Sequence, residues 1–328
     1  MNLWKIILRN LLFFRRQNIG IIFAAALCAV VLTGALTVGD SVRSTLREFG
    51  EKRIGKGDIA MLSPDGFFEE GLAGRIKEKL SQNSVVSPIA LTRGTLTTPD
   101  GLLRVSNVQV LGVDERFWRL APDFAHTPLG SLSVKKEFPK WDSDSFFVNQ
   151  RLAKRLNLEK GDRLILRMEE PSMFSRDAPM SGERDNKFVT MNNPLGGILQ
   201  AEGFGNFGLQ GNQLAPLSIF VPLGSLQKKL FRSLDEVSGS TKFANFLLIG
   251  DPGEAKVELK LAKQAIDKSW TLEDAGIEIK ELLNSNQWSV RARQVFLSDG
   301  LVKQASRVKK DSVGVFTYLV NGIEKKAD

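Results

Sequence analysis

No charged residue occurs between Arg16 and Asp40, and the run from Ile19 to Val38 is twenty residues long. At about 1.5 Å of helical rise per residue it measures about 30 Å, the thickness of a hydrocarbon core, and so predicts a membrane-spanning helix. A secretory leader has an apolar region of about 7 to 15 residues, so the length favours an uncleaved anchor. Thr33-Gly34-Ala35 would nonetheless serve as a cleavage site. Cys28 follows Leu27 and not a small residue, which does not fit lipoprotein cleavage; it reads as a small apolar side chain in lipid. Ahead of the run, a helical projection at about 100° per residue puts Asn2, Lys5, Arg9 and Arg16 on one face and Leu3, Trp4, Ile7, Leu11 and Phe14 on the other. The pattern predicts an interfacial amphipathic helix over 1–17 and a transmembrane helix over 18–39.

Beyond Asp40 the periodicity stays helical, with Val42, Leu46 and Phe49 in register to about Arg53, and Gly55 and Gly57 ending the helix. This predicts a stalk over 40–57. "DIAML" then reads as a strand and "FFEEGLAGRIKEKLSQ" as a helix, followed by the strands "VVSPIALTRGTLTT" and "LLRVSNVQVLGVD" about the turn Pro99-Asp100-Gly101. A second unit begins near Trp141. Leu152, Ala153 and Leu156 form a helical stripe, Gly161-Asp162 a turn, and Leu164, Leu166 and Met168 alternate with Arg163 and Arg167 as in a half-buried strand. From Pro171 to Pro216 the pattern lapses into Gly, Asn and Pro, predicting a long loop or irregular hairpins. "LSIFVPLGSLQKKL" and "ANFLLIG" restore regular structure, "GEAKVELKLAKQAIDKSW" is helical, and "SVRARQVFLS" reads as a strand.

The charged fraction of 25% and hydrophobic fraction of 42% are those of a soluble domain, so the apolar excess is confined to the one run. With 328 residues the chain has room for two domains of ordinary size. Lys5, Arg9, Arg15 and Arg16 precede the span and no acid occurs before Asp40, which predicts a cytoplasmic N-terminus and an extracytoplasmic chain after about residue 40. The net charge of +8 is dispersed among acids, with no basic stripe or aromatic platform for nucleic acid.

Catalytic and metal chemistry is poorly provided for. His126 is the only histidine and Cys28 the only cysteine, so neither a zinc site nor a disulfide fits, and no Gly-x-Ser-x-Gly elbow is present. Asp142 and Asp144 lack the remaining ligands of a calcium loop. Gly203, Gly205 and Gly208 spell Gly-x-Gly-x-x-Gly without the preceding strand or following helix that dinucleotide binding requires. They read as turn glycines. Phe204 and Phe207 between them either pack the loop onto the domain or mark a contact surface.

Six segments, taken in order, resemble ABC-transporter permeases of the MacB and FtsX type, in the branch with a large extracytoplasmic core domain after the first span. They are "LTGALTVGDSVRSTLREFGEKRIGKGDIAML", "VQVLGVDERFW", "VNQRLAKRLNLEKGDRLILR", "GNFGLQGNQLAPLSIFVPLGSLQKKL", "WTLEDAGIEI" and "VFTYLVNGI". Their order and spacing carry the likeness, which covers most of the chain. The resemblance implies an α+β architecture: an extracytoplasmic α/β porter-like core over 58–140 and 217–328, with a β-rich subdomain inserted over 141–216. It implies a bacterial inner-membrane permease that binds no cofactor, ATP being bound by a cytoplasmic ABC ATPase partner, and that works beside a second permease copy. Asp40 to Gly57 would transmit the ATPase's motion. Arg15, Arg16, Asp40 and Arg43 would set the depth and tilt of the span at its two borders. The family has at least three further spans after the core domain and this sequence holds no second apolar run of that length, so the expectation is a piece of a longer permease. The alternative is a single-span anchored binding or adaptor module; neither reading is an enzyme.

Overall fold

The computed structural model describes residues 3–63, 66–122, 144–171, 188–200, 204–209, 214–232, 242–253, 255–282, 287–292 and positions 303, 307 and 313. His126, Trp141, Asp142, Gly203 and the "VFTYLVNGI" segment lie outside them. Two helices open the chain, α1 (Leu3–Phe13) and α2 (Arg15–Ile54). They part at Phe14 (φ −95°, ψ 25°), and Asn18 Nδ2 reaches across the break to donate to the Leu11 carbonyl at 3.1 Å. The break therefore falls earlier than the expected boundary at residue 17. The expected span over 18–39 and the expected stalk over 40–57, as far as Ile54, belong to one uninterrupted helix of 40 residues, about 60 Å long; Gly55 to Gly57 lie beyond it. It is the one described helix long and apolar enough to cross a membrane, and none of its apolar stretch is buried against the domain. Within that stretch the Thr33 and Thr37 hydroxyls donate to the carbonyls of Ala29 and Thr33, each at 2.7 Å, so both hydroxyl hydrogens are satisfied within the helix. Past Asp40 the helix is held by exposed i,i+4 pairs, Arg47 with Glu51 at 3.0 Å and Lys52 with Glu48 at 2.7 Å.

The domain follows as β1 (Gly57–Leu62), β2 (Phe68–Glu69), α3 (Gly71–Lys77), β3 (Val85–Thr97), β4 (Arg104–Val113), α4 (Glu115–Arg119), β5 (Phe146–Asn149) and α5 (Gln150–Leu156). Then come β6 (Arg163–Glu169), β7 (Phe188–Leu199), β8 (Ser218–Pro222), α6 (Leu223–Leu230), β9 (Phe243–Ala244), β10 (Phe246–Gly250), α7 (Leu259–Ser269), β11 (Ile277–Leu282) and β12 (Gln287–Ala292). Strands β3-β4-β8-β5-β7-β6 are neighbours in that order, and β6 pairs back onto β3 to close a six-stranded barrel. On the other side of β3 the same sheet continues through β10 to β1. Pairs β4–β8 and β5–β7 are parallel and the others antiparallel.

Strand β3 serves both parts. Its first five residues pair with β10, while Ala90 to Thr97 pair with β4 and Gly94 to Thr97 also with β6. At the changeover the Asn245 side chain replaces a strand, accepting from Leu91 N–H and donating to Leu91 C=O, both at 2.8 Å. Gly94, at a bulge, is where the barrel closes: a Cβ there would stand 2.9 Å from the Arg167 carbonyl oxygen. Leu96, Val110, Phe146, Val148, Leu164 and Ile219 fill the barrel beneath α5 and α6. Helices α3 and α7 cover the β1-β10-β3 part through Leu72, Ile76, Ala262 and Ala265. An ion pair from Arg75 to the buried Asp274, whose carboxylate also accepts from Thr271 N–H at 2.8 Å, fixes the turn after α7.

The turns at Pro99-Asp100-Gly101 and Gly161-Asp162 stand where the sequence places them, with Gly101 and Gly161 at φ 73° and 101°. Two elements differ. Phe68–Glu69, expected inside a helix, is a strand because β9 pairs with it, and the helix is confined to Gly71–Lys77. The stretch from Pro171 to Pro216, expected as a long loop or irregular hairpins, contains β7, twelve residues long and antiparallel to β6. Asn192, Asn193, Pro194, Gly196 and Gly197 disguise it; β6 on one side and β5 on the other hold it extended against its composition. The barrel also takes β3 and β4 from 58–140 and β8 from 217–328, so the β-rich unit is wider than 141–216.

Asn149 is fully buried and ties three segments: it donates to the Pro216 carbonyl at 2.7 Å and accepts from Leu152 N–H at 3.0 Å and Ser218 N–H at 3.3 Å. Asn149→Ala removes the α5 cap and strands these groups, and is expected to cost about 1–3 kcal/mol in denaturant unfolding. At the β3–β4 turn the Thr98 hydroxyl and then the Leu102 N–H hold the Asp100 carboxyl below its ordinary value. Its stabilising contribution is thus present above the ordinary carboxylate pKa and lost as pH falls through the folded value. Thr98→Val should raise the NMR titration midpoint of Asp100.

Candidate functional site: the foot of the long helix

The last turn of α2 enters the domain, with Arg53 buried and Ile54 packed on the aromatic cluster below it. Gly55 then ends the helix at φ 62°, its N–H donating to the Glu51 carbonyl at 3.2 Å. Two features demand glycine there. The positive φ is one that a Cβ disfavours, and a Cβ would stand 2.6 Å from the Leu120 carbonyl oxygen and 2.9 Å from the Phe204 ring. The same Leu120 oxygen accepts from Lys56 N–H at 2.8 Å, while Lys56 Nζ reaches the Pro252 carbonyl at 2.7 Å. The chain passes directly from this clamp into β1.

The floor of the joint is aromatic. Phe204 stacks on Phe117 with centroids 4.6 Å apart and planes at 21°, Phe207 meets Phe117 edge-on at 5.0 Å, and Phe220 and Trp118 complete the cluster. Phe204 and Phe207 are each 1% exposed, so the fold uses both for packing and neither faces solvent. The loop that delivers them is tight: Phe204 sits at φ 66°, and a Cβ on Gly205 would lie 2.5 Å from the Gln200 carbonyl oxygen. Backbone approach accounts for Gly205, and Gly208 lies against Pro216.

Helix α4, whose residues Phe117 and Trp118 make much of this floor, is held in place electrostatically. Asp114 caps it, accepting from Arg116 N–H at 2.9 Å. The Arg116 guanidinium donates to Asp114 at 2.6 Å and to Glu70 at 2.7 Å. Burial opposes its charge, but the Asp114 and Glu70 carboxylates outweigh that, so the guanidinium is held above its ordinary pKa. Gln227 of α6 donates to the other Glu70 oxygen at 3.3 Å and to the Phe243 carbonyl at 3.0 Å. The helix foot, the sheet and the barrel thus share one network.

Arg15, Arg16, Asp40 and Arg43 lie along α2, exposed and away from the domain. Arg16 and Asp40 bracket the uncharged stretch, about 36 Å apart along the axis. The sequence does not mark Gly55, Leu120 and Phe117, which form the joint, as site residues; its one signal is the Gly55-x-Gly57 helix stop, which says nothing of what meets it. Among the described residues no cluster of three or more His, Cys, Asp or Glu side chains could hold a metal ion. A shallow open cavity of about 400 Å³ lies elsewhere, at the barrel end beside Thr98, Asp100, Asn157, Asp162 and Arg163.

No family model matches the chain, and no curated protein does. Among solved structures the chain is similar to a periplasmic domain. That structure is the periplasmic region of MacB from Actinobacillus actinomycetemcomitans, with a TM-score of 0.38 and 9% identity over 80% of this chain and 97% of that one.

Gly55→Ala should lower the domain's unfolding free energy by about 2 kcal/mol, combining left-handed strain with the Leu120 clash. Gly50→Ala, five residues earlier inside α2 and with nothing within 4 Å of the added carbon, should instead stabilise by about 0.5–1 kcal/mol. Equal effects in denaturant titrations would remove the close-approach account of Gly55.

Proposed function

We propose that this chain is part of a membrane-anchored ABC-transporter permease, in which α2 crosses the bilayer and carries force between a cytoplasmic ATPase and the extracytoplasmic domain. The observation that carries this reading is the continuity of α2 from Arg15 to Ile54 and its clamped seating at Gly55. A helix without a break cannot bend locally as a flexible tether does, so displacement at one end is delivered to the other. The six sequence segments that resemble MacB- and FtsX-type permeases supply the transporter context. In this reading the N-terminus is cytoplasmic, α1 lies in the inner-membrane interface, and Arg15, Arg16, Asp40 and Arg43 fix the span's depth. ATP belongs to the partner ATPase, a second permease copy stands beside the first, and the role is mechanical, not enzymatic. The alternative, a single-span anchored adaptor, needs the same helix only as an attachment.

The two readings separate in the stalk. In the membrane-embedded permease assembled with its ATPase, Val42→Pro should reduce substrate-stimulated ATP hydrolysis at least tenfold, because an interior proline breaks the helix, while anchoring and domain folding persist. Undiminished stimulation, or an anchored protein with which no ATPase assembles, would leave the adaptor reading. Topology is checked in a Cys28→Ala background. Ser41→Cys should react with a membrane-impermeant maleimide from outside, and Asn10→Cys only after permeabilisation.

A further inference from the structure

All of α1 except Lys5, Arg9 and Asn10 is apolar. At about 100° per residue Lys5 and Arg9 lie about 40° apart, in a narrow wedge with Leu12 on one side of it and Phe13 on the other. Every described side chain of the helix is exposed, Leu12 at 68% and Phe13 at 81%. A helix apolar on nearly all sides seats itself deep in a membrane interface, and its cations reach out along their methylene stems.

Cations in that position need a counter-charge. Among the described residues, Lys5, Arg9, Arg15 and Arg16 form no ion pair and no side-chain hydrogen bond. The first acid in the sequence is Asp40, about 36 Å along α2 from Arg16 and at the opposite border of the uncharged stretch. A charge withdrawn from water without a partner is costly. Phosphate oxygens meet that need at the depth where the wedge lies. Arg9, Arg15 and Arg16 can each grip a phosphate through two parallel N–H donors, and Lys5 binds one as a point charge.

The joint between the two helices keeps these charges together. Phe14 interrupts the helical run, yet its N–H donates to the Asn10 carbonyl at 3.1 Å and its carbonyl accepts from Asn18 N–H at 3.0 Å. The Asn18 side chain holds the Leu11 carbonyl as well. The cations of α1 and those of the first turn of α2 therefore belong to one bracketed unit. Resting on the reading that α2 spans the bilayer with a cytoplasmic N-terminus, we propose that Lys5, Arg9, Arg15 and Arg16 form a binding surface for anionic phospholipid headgroups of the cytoplasmic leaflet, and that these lipids hold α1 down. A zwitterionic lipid offers the same phosphate with an ammonium group beside it, so the surface prefers headgroups of net negative charge.

Amide exchange tests this on the full chain, in nanodiscs of phosphatidylcholine alone and of phosphatidylcholine mixed equally with phosphatidylglycerol. A helix as short as α1 is marginal in water, so protection of Ile7 to Phe13 reports its docking. Each cation brought to an anionic surface contributes about fivefold to binding, so Lys5 and Arg9 together should make these amides exchange about 25-fold more slowly in the mixed discs. Arg9→Gln should give back about fivefold of this, and Lys5→Gln combined with Arg9→Gln the whole. Equal protection of Ile7 to Phe13 in the two discs, with the amides of 20–38 protected in both, overturns the proposal and leaves the span standing. A preference that survives the double substitution also overturns it, because the charges would then not be its source. Free exchange of 20–38 in both discs would overturn the span and the proposal with it.

Discussion

The backbone of β3 must satisfy hydrogen-bonding groups in two places at once, and the architecture follows from how it does so. Its first residues are central in an open sheet and its last residues close a barrel, so the two parts share one rigid rod and have no hinge between them. The changeover would leave Leu91 unpaired were Asn245 not to offer a side-chain amide with the donor and acceptor of a peptide. Three residues on, Gly94 lets β6 approach where any side chain would keep the barrel open.

That rigidity gives the aromatic cluster beneath α2 its meaning. Phe117, Phe204, Phe207 and Phe220 come from α4, from the loop after β7 and from β8, and so join the helix foot to barrel strands distant in sequence. The Glu70–Arg116–Asp114 set fastens α4 against the sheet, with Gln227 of the barrel's helix on the same carboxylate. Gly55 therefore sits against packed rings backed by paired charges, and interiors of this density are little compressible.

Much of this was legible in the sequence where the signal is local. The helix through Arg53, the turns at Gly101 and Gly161, and the stripe of Leu152, Ala153 and Leu156 rest on periodicity and turn chemistry that need no distant partner. Strand β7 and the Phe68–Glu69 pairing were not legible, because each is imposed by a strand far away in the chain and runs against local propensity. The site divided in the same way. The border charges of α2 can be counted in the sequence, whereas the need for glycine at 55 comes from Leu120 and Phe204, 65 and 149 positions away, each standing within 3 Å of where a Cβ would lie. The glycines around Phe204 show how one pattern admits two meanings: spacing alone suggests a phosphate cradle, and backbone proximity makes it a tight turn.

An unbroken helix held at one end is also a lever. Because α2 continues without a joint from Arg15 to its seat at Gly55, a tilt of about 5° about that seat swings the far end by about 5 Å, one helical pitch. Small angular changes at the domain and large lateral displacements of the far end are then one geometry, and the ratio between them is set by the length of the helix alone.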